Sequence, residues 1–362
     1  MSINLKVKKV KKVKDVLSFI MNKSGINYFG YLGYDNLGDE ALYVATNKLF
    51  DEDLAYKPKI PNWLFPNLIN NKSFNVVILG GGTLICQELN GYGSNKFGLP
   101  FKTDFENAIK NSKTIIVFGT GVDEHHEGIY VDNWLSEWKE ILFRASYVSC
   151  RGPRSQKILQ HIGVSAEVIG DPALSLIKPE GYWSPNCRTM GVNVRPFKYD
   201  SDIENNYLEQ MIIFLQGKIN DGWNVEFLAV SEMDIVTIES VIKGLNSYSP
   251  VIHRIYNDPE EYFNIVKRYQ VFFGVRLHAV ILAMCAGVPS VMLSYRRKCD
   301  DFSESVSMEY LNIRLEDIDI PKLDGVLEIM VNNGKEISAE ILNVFNEFKT
   351  LQKIRVDELR IL

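Results

Sequence analysis

Arg276 and His278 have the residue types of an anion-binding site and lie where such a site could form. They fall within Phe272–Ile281, where an apolar segment predicts a strand ending at Gly274 and a second apolar segment predicts a helix. Free N–H groups at a helix N-terminus, the helix dipole and a bidentate guanidinium all favour phosphate or carboxylate. Alternatively, Arg276 could pair with a surface acid and His278 could cap the helix. The flanking apolar segments favour the anion site.

Other arginines follow predicted strands in the same way. Arg195 comes directly after Gly191–Val194, and Arg151 and Arg154 follow Tyr147–Cys150. Several arginines at strand ends predict an acidic small-molecule substrate, although any one of them could instead form a salt bridge between domains. The chain as a whole is acidic, with a net charge of −5, yet these strand ends are basic, and a polyanionic small molecule fits that combination.

The segment Asp35–Glu40 lies where the first predicted strand leads into the first predicted helix. In one interpretation Gly38 makes the turn, and Asp39 or Glu40 caps the helix and complements its dipole. In the other, Asp35 or Asp39 accepts a proton or binds a sugar hydroxyl. Glycine-containing loops follow the next two predicted strands, and parallel strands bring such loops to one edge of a sheet. The predicted cleft residues are Asp35, Asn36, Gly38, Gly81, Gly82, Gly121 and Asp123.

None of these loops matches a nucleotide-binding signature. Gly119–Glu124 ends in glutamate where GxGxxG has its third glycine, and Asp39 occupies the lysine position of a Walker-like spacing. Asp51-Glu52-Asp53 resembles the DxD motif of metal-dependent glycosyltransferases, but it follows a predicted helix and is expected to be a solvated turn. No cluster has metal-ligand spacing, so we expect neither a metal nor a cofactor.

Apolar segments alternate with predicted helices along the chain, which is typical of parallel sheets covered on both faces. Pro172–Arg188 is rich in proline and predicts a linker. We therefore expect an α/β protein with two Rossmann-like domains, 1–178 and 188–335, whose parallel sheets face a central cleft, followed by a C-terminal helix at 336–362. The predicted strands are Ile26–Leu32, Val76–Leu79, Thr114–Phe118, Tyr147–Cys150, Glu167–Ile169, Met190–Val194, Val225–Ala229, Val251–Ile255, Val271–Phe273 and Ser290–Leu293.

Length and composition exclude several classes of protein. A chain of 362 residues exceeds the usual size of one domain, and its acidic balance argues against nucleic-acid binding. The five cysteines are scattered and none is spaced as CxxC, which argues against disulfides and structural zinc. No apolar run reaches the roughly 18–20 residues that span a bilayer, and no secretory signal is recognisable. We expect a cytoplasmic protein.

Residues 1–20 contain six lysines interspersed with apolar residues at three- and four-residue steps. This spacing predicts a basic amphipathic helix. Such a helix could lie on the anionic inner face of a membrane, giving peripheral contact. Alternatively it is a surface helix that packs its valines on the domain, and the pattern favours that interpretation.

In order and spacing, the motifs of this chain resemble those of the polysaccharide pyruvyl transferases. The resemblance runs over most of the chain. The motifs are Gly30–Glu40, Gly80–Thr83, Gly119–Gly121, Arg151–Ser155, Gly170–Leu174, Gly191–Arg195, Arg276–Ala279, Ala286–Pro289 and Ser294–Lys298.

The resemblance implies a fold like that of GT-B glycosyltransferases and transfer of pyruvate from phosphoenolpyruvate to a sugar as a cyclic ketal. It implies donor binding by Arg195, Arg276 and His278, to which we add Lys298 as a further predicted donor ligand. His278 is then the expected acid and Asp39 the expected base. The expected acceptor is a saccharide, most simply lipid-linked. A GT-B glycosyltransferase that uses a nucleotide sugar and a non-catalytic sugar- or phosphate-binding protein remain the alternatives.

Overall fold

The computed structural model describes residues 25–56, 73–86, 101–123, 133–178, 187–197, 200–246 and 248–360, together with Phe19, Met21 and Asn22. The chain divides into two compact units, Met1–Tyr34 with Leu42–Asp171, and Asp35–Ala41 with Pro172–Leu362. Each unit is a parallel-sheet α/β structure, which confirms the predicted fold class. Apart from Phe19, the lysine-rich segment at 1–20 lies outside the described residues, so its amphipathic helix stays a prediction.

The first unit contains one sheet, and all its described strand pairs are parallel. Its strands are β1 (Ile26–Phe29), β2 (Ala55–Tyr56), β3 (Val76–Leu79), β4 (Gly82–Ile85), β5 (Thr114–Val122), β6 (Tyr147–Cys150) and β7 (Glu167–Val168). Their order is β2-β1-β3-β5-β6-β7, and β4 also pairs with β5. The helices are α1 (Leu37–Phe50), whose first turn belongs to the second unit, α2 (Phe101–Ile109), α3 (Asn133–Arg144) and α4 (Pro153–His161).

The second unit also contains a parallel sheet, with the strand order β10-β9-β8-β11-β12-β13. These strands are β8 (Thr189–Asn193), β9 (Asn224–Ala229), β10 (Ile252–Arg254), β11 (Val271–Gly274), β12 (Ser290–Ser294) and β13 (Asn312–Arg314). The helices are α5 (Ser201–Asn220), α6 (Asp234–Gly244), α7 (Pro259–Val266), α8 (Leu277–Cys285), α9 (Arg297–Ser305), α10 (Ile320–Asn332) and α11 (Gly334–Leu359).

Local sequence explains where several helices of the second unit begin. Asp200, Asp258 and Asp319 are N-caps whose carboxylates accept hydrogen bonds from backbone N–H groups of the first turns of α5, α7 and α10. Such caps replace the intrahelical partners that a first turn lacks. By contrast, Arg276 is the N-cap of α8 and makes no side-chain capping bond. The start of α8 is thus not closed by a side-chain cap, a feature that it shares with α6, α9 and α11.

α8 is almost completely buried next to the second sheet, since every residue of it except His278 is buried. It packs against β11, β12 and α11, and against a 3₁₀ helix at Pro172–Leu176. All five residues of that 3₁₀ helix are buried, so this end of the segment predicted as a linker is part of the core. An apolar helix enclosed in this way holds its N-terminal residues in a fixed position.

Some predicted boundaries are wrong. The third predicted strand was expected to end at Phe118, but β5 continues through Gly119-Thr120-Gly121 to Val122. The loop predicted at Gly80–Thr83 contains the start of β4. Asp51-Glu52-Asp53 is an exposed turn after α1, as predicted. No helix among the described residues is both long and apolar enough to cross a membrane.

Candidate active site

The strands that carry Arg195 and Arg276 are neighbours in the second sheet. β8 and β11 pair with Asn193 opposite Gly274, and each arginine follows its strand by two residues. From β8 the sheet continues to β9 on one side, and from β11 to β12 on the other, so the strand order reverses between β8 and β11. Ligands of open parallel sheets bind at the carboxyl ends of the strands at such a switch point. The topology therefore brings both arginines to the expected ligand position.

Arg276 is fixed through both its backbone and its side chain. Its N–H donates to Oδ1 of Asn193 over 2.9 Å, and its Nε donates to Oδ1 of Asp234 over 2.6 Å. The side chain of Asp234 is fully buried and that of Arg276 is 14% exposed. Arg276 therefore forms a buried ion pair, and the expectation of a surface pair does not apply.

The carboxylate of Asp234 is satisfied on its other oxygen as well. Oδ2 accepts from the backbone N–H groups of Val230 and Ser231, over 3.1 and 3.2 Å, and from Nδ2 of Asn193 over 3.3 Å. Burial raises the pKa of Asp234, and the charge of Arg276 offsets part of that rise. One carboxylate thus ties the ends of β8 and β9 to the guanidinium of Arg276.

One nitrogen of the Arg276 guanidinium is left unsatisfied. Nη2 is buried and has no hydrogen-bond partner among the residues that the structure describes. An unsatisfied buried donor costs about 1–3 kcal/mol, and a bound anion would remove that cost. The first N–H groups of α8 lie at the same helix end, and the helix dipole also attracts negative charge there.

The segment Asp35–Ala41 packs with the second unit, and the chain then continues into the first. The N–H of Leu37 donates to the carbonyl of Val230 over 3.0 Å, and Asn36 forms an antiparallel bridge with Ser231. Asp35 is exposed and has a left-handed φ of 52°, which aspartate tolerates better than most residues. These contacts place the start of α1 at the loop that also binds Asp234.

Gly38 packs against the imidazole of His278. A Cβ on Gly38 would lie 2.7 Å from Cγ of His278, closer than such atoms approach. Gly38 is not among the glycines with positive φ. The glycine is therefore required by close packing against the histidine, and the interpretation that it serves to make the turn is wrong.

Asp39 lies close to the charged groups that were predicted to act with it. Burial raises the pKa of Asp39 above its ordinary value of 3.8, and the charge of His278, a hydrogen bond from Asn36 and the charges of Lys298 and Arg276 offset part of the rise. A carboxylate with a raised pKa is a stronger base than an ordinary aspartate. Asp39 is therefore suited to exchange a proton near His278.

The remaining two predicted donor ligands share an aromatic neighbour in the second unit. The Arg195 guanidinium lies 4.5 Å from the ring centroid of Tyr295, and Nζ of Lys298 lies 5.1 Å from the same centroid. The second unit thus contains all four predicted donor ligands: Arg195, Arg276, His278 and Lys298.

Four of the predicted cleft residues belong instead to the first unit. Gly81 is buried, Gly82 begins β4 with a left-handed φ of 96°, and Gly121 lies inside β5. Asp123 is half-buried, and its N–H donates to the carbonyl of Ile85 over 2.8 Å. These residues line the carboxyl end of the first sheet.

Arg151 is fully buried in the first unit. Its Nη1 lies 4.0 Å from Oδ2 of Asp171, and a Cβ on Gly121 would lie 2.6 Å from its Nη2. The guanidinium therefore lies directly on the backbone of Gly121, which explains a glycine inside a strand. The ion pair of Arg151 is internal to the first unit, so the alternative of a salt bridge between domains does not describe it.

Sequence reasoning missed three residues of this region, namely Asn193, Asp234 and Tyr295. Asn193 carried a usable signal, because a polar side chain at the end of an apolar strand must find partners when buried. Asp234 carried none, since an aspartate at a helix start is ordinary.

The sequence profile of the polysaccharide pyruvyl transferases matches residues 36–297, more than half of the chain. The matched stretch begins at Asn36 and includes Arg195, Arg276 and His278. The chain belongs to the polysaccharide pyruvyl transferase family. It is therefore a transferase, and the family acts in polysaccharide pyruvylation.

Solved structures share the fold of this pyruvyl transferase at low sequence identity. A putative UDP-N-acetylglucosamine 2-epimerase from Listeria monocytogenes is 12% identical with a TM-score of 0.53, covering 91% of this chain and 94% of that one. The S. aureus MnaA structure with UDP is 9% identical with a TM-score of 0.52, covering 88% and 90%. These likenesses show a GT-B-like fold. Among curated proteins, none matches the sequence.

The described part of the pyruvyl transferase contains no group of three or more His, Cys, Asp or Glu side chains that could hold a metal ion. The predicted ligands of the second unit instead include three cationic side chains, Arg195, Arg276 and Lys298, which suit an anion.

Replacing Gly38 with alanine is expected to displace His278. Alanine normally stabilises a helix relative to glycine by about 1 kcal/mol, but here its Cβ would overlap the imidazole. We expect Gly38→Ala to lower the turnover number at least tenfold. Gly217→Ala, a change in α5 with nothing within 4 Å of the new Cβ, is the matched control and should keep full turnover. Equal turnover in both variants would contradict the packing argument.

Replacing Asp234 with asparagine is expected to leave the buried charge of Arg276 without a counter-ion. Breaking a buried pair on one side costs about 3 kcal/mol or more. Asp300→Asn is the control, because Asp300 also contacts an arginine at 2.6 Å, but that arginine, Arg314, is 37% exposed and can turn to water. Thermal unfolding should show the larger loss for Asp234→Asn. A larger loss for Asp300→Asn would refute the role assigned to the buried pair.

Proposed function

We propose that this protein transfers pyruvate from phosphoenolpyruvate to a lipid-linked saccharide, on which the pyruvate forms a cyclic ketal. Membership of the family supports pyruvyl transfer to a saccharide in general. The choice of donor rests on the charged groups of the second unit, and the lipid linkage rests on the sequence of residues 1–20.

The buried Nη2 of Arg276 is the observation that carries the donor assignment. It is a charged donor without a hydrogen-bond partner among the described residues, at the start of α8 and at the switch point of the sheet. A phosphate or carboxylate oxygen would complete its hydrogen bonding. Phosphoenolpyruvate offers both groups, and Arg195 and Lys298 supply charge for the second.

The reaction suits the groups near Asp39. A proton added at C3 of phosphoenolpyruvate makes C2 electrophilic, and a sugar hydroxyl adds to C2 and gives up its proton. Phosphate then leaves with the C2–O bond electrons, and a neighbouring hydroxyl closes the ketal at C2 while its proton goes to the departing phosphate. We assign His278 as the acid towards C3 or the leaving phosphate, and Asp39 as the base for the hydroxyl. Positioned acid–base groups contribute about 10²–10⁴-fold to such rates.

In this proposal the second unit binds the donor, and the first unit binds the acceptor through Gly81, Gly82, Gly121 and Asp123. Glycines at strand ends allow a ligand to approach the backbone closely, which supports a role in sugar binding. Asp35 and Asn36 are the acceptor contacts that we assign to the second unit.

The assay that tests the proposed function measures phosphate release together with product mass. The protein is incubated with phosphoenolpyruvate and with lipid-linked or nucleotide-linked sugars. Phosphate release accompanied by a product that has gained pyruvate minus water supports the proposal. Tighter binding of UDP than of phosphoenolpyruvate, with no such product, would point to a nucleotide-sugar glycosyltransferase instead.

Substitutions of His278 and Arg276 should change different kinetic constants. His278→Gln removes the proposed acid and should lower the turnover number at least a hundredfold, with binding of phosphoenolpyruvate largely kept. Arg276→Lys keeps a positive charge but cannot reach Asp234 and a ligand with separate nitrogens. We expect its KM for phosphoenolpyruvate to rise about tenfold or more.

His253→Gln and Arg268→Lys are the matched controls, since both residues contact Glu226 away from the predicted site. Neither control should change turnover or KM. If His278→Gln instead loses binding and keeps turnover, His278 only holds the donor, and another group must supply the proton.

We also propose, as the alternative to packing of this segment on the domain, peripheral membrane contact through the six lysines of residues 1–20. Their lysines would attract anionic lipid by about 1 kcal/mol each near the surface. When anionic liposomes are sedimented at low salt, the whole chain should be found in the pellet with them. A variant that lacks residues 1–14 should stay in the supernatant. Equal behaviour of the two proteins would leave the segment with a purely structural role.

A further inference from the structure

Tyr295 contacts two cations of the proposed donor site at once. Nη1 of Arg195 donates to the hydroxyl of Tyr295 over 2.7 Å, and the guanidinium carbon lies 4.5 Å from the ring centroid. Nζ of Lys298 lies 5.1 Å from the same centroid. Tyr295 is 7% exposed. Its buried ring, with Arg195 and Lys298 beside it, is called the platform below.

The platform stabilises an arrangement that would otherwise be unfavourable. Two like charges repel each other, and each long side chain loses rotamer freedom when it is held in place. An aromatic ring attracts cations placed near its face, by about 0.5–2 kcal/mol for each contact. Tyr295 therefore keeps Arg195 and Lys298 together before any ligand arrives.

The backbone on each side of this platform is held as well. The hydroxyl of Tyr207 donates to the carbonyl of Arg195 over 2.8 Å, and the N–H of Arg195 donates to the same hydroxyl over 3.3 Å. Nε of Arg195 donates to the carbonyl of Pro196 over 3.2 Å. Arg195 thus keeps its guanidinium against Tyr295 from a fixed backbone position.

Asp300 fixes the other side, where β12 leads into α9. Its Oδ1 accepts from Oγ of Ser294 and from Nδ2 of Asn312, over 2.9 and 3.0 Å, and its Oδ2 contacts Nη2 of Arg314 at 2.6 Å. These bonds join the ends of β12 and β13 to the first turn of α9. Tyr295 and Lys298 lie between Ser294 and Asp300, in the stretch that these bonds hold.

We propose that Tyr295 is a positioning residue that builds a second anion subsite from Arg195 and Lys298, separate from the subsite at Arg276 and the start of α8. This inference rests on the proposed function and deepens it, because it makes the ligand a molecule with two anionic groups. The two subsites follow adjacent strands, and the charges of Arg276 and Arg195 both act on the carboxylate of Asp234. A ligand that carries phosphate and carboxylate a few bonds apart matches that pairing.

The test compares Tyr295→Phe with the wild-type protein. Phenylalanine keeps the ring and removes the hydroxyl that Arg195 contacts, so the variant should fold. We expect its KM for phosphoenolpyruvate to rise about tenfold while the turnover number changes less than about twofold. Tyr310→Phe is the matched control, because it also removes a hydroxyl bonded to a charged side chain, here Glu340 at 2.7 Å, and it should change neither constant.

Fragment binding separates a subsite from a merely structural effect. Inorganic phosphate and pyruvate are measured separately as competitive inhibitors. Tyr295→Phe should weaken one fragment about tenfold and spare the other, and Arg276→Lys should show the reverse selectivity. Equal weakening of both fragments, or of neither, in Tyr295→Phe would overturn the two-subsite inference.

Tyr295→Leu in a Lys298→Ala background extends the test. Leucine removes the contact with both cations, so its effect on KM should be smaller when Lys298 is already absent. Full additivity of the two changes would argue against a shared platform. If Tyr295→Leu does not fold, the fragment result for Tyr295→Phe decides.

Calorimetric binding without acceptor distinguishes this inference from the proposed function. If the wild-type protein binds UDP and not phosphoenolpyruvate, the proposed function fails, and the inference survives only if Tyr295→Phe weakens UDP. If phosphoenolpyruvate is bound and used but Tyr295→Phe leaves its affinity unchanged, the function stands and the inference fails. Binding of neither ligand overturns both.

Discussion

The ion pair between Asp234 and Arg276 constrains the rest of the second unit's site. Removing two charges from water costs several kcal/mol for each ion, and their attraction offsets this only when further hydrogen bonds complete the geometry. Here the carboxylate also accepts bonds from Val230, Ser231 and Asn193, so it is well compensated. The guanidinium is less well compensated, because Nη2 has no partner among the described residues. This imbalance leaves one charged, buried N–H group of Arg276 unsatisfied at the residue that precedes α8.

The loop at Val230 and Ser231 also explains why Asp39 and His278 belong to one unit although they are far apart in sequence. Val230 and Ser231 contact Asp234 through their N–H groups, and they contact the start of α1 through the Val230 carbonyl and the bridge to Asn36. The first turn of α1 is therefore held by backbone bonds next to the buried pair. Because Gly38 has no side chain, the imidazole of His278 can pack directly on the α1 backbone. Backbone pairing thus fixes the start of α1 more rigidly than a contact through a long side chain would.

The alternation of strands and helices was predictable from sequence because each buried strand of a parallel sheet forms a continuous apolar run. The same pattern singled out Arg195, Arg276 and His278 as candidates, since polar residues stand out where such a run ends. β5 was predicted too short, because glycines usually end strands and the reason for Gly121 lies in Arg151, thirty residues later. Asp234 and Tyr295 could not be found, because their roles depend on partners that only the sheet order brings near. Local sequence patterns indicate which residues are buried, but they do not indicate which buried groups contact each other.

The balance of charge around Asp39 links donor binding to proton transfer. His278, Lys298 and Arg276 all oppose the rise that burial causes in the pKa of Asp39. A bound phosphate or carboxylate would neutralise part of that positive charge, and an anion near a carboxylate raises its pKa. If the donor binds as we propose, Asp39 therefore becomes a stronger base only after the donor is in place. The order matters chemically, because a hydroxyl deprotonated before the donor arrives has nothing to attack. Coupling the strength of the base to occupancy of the anion site would confine proton removal to the complex that can react.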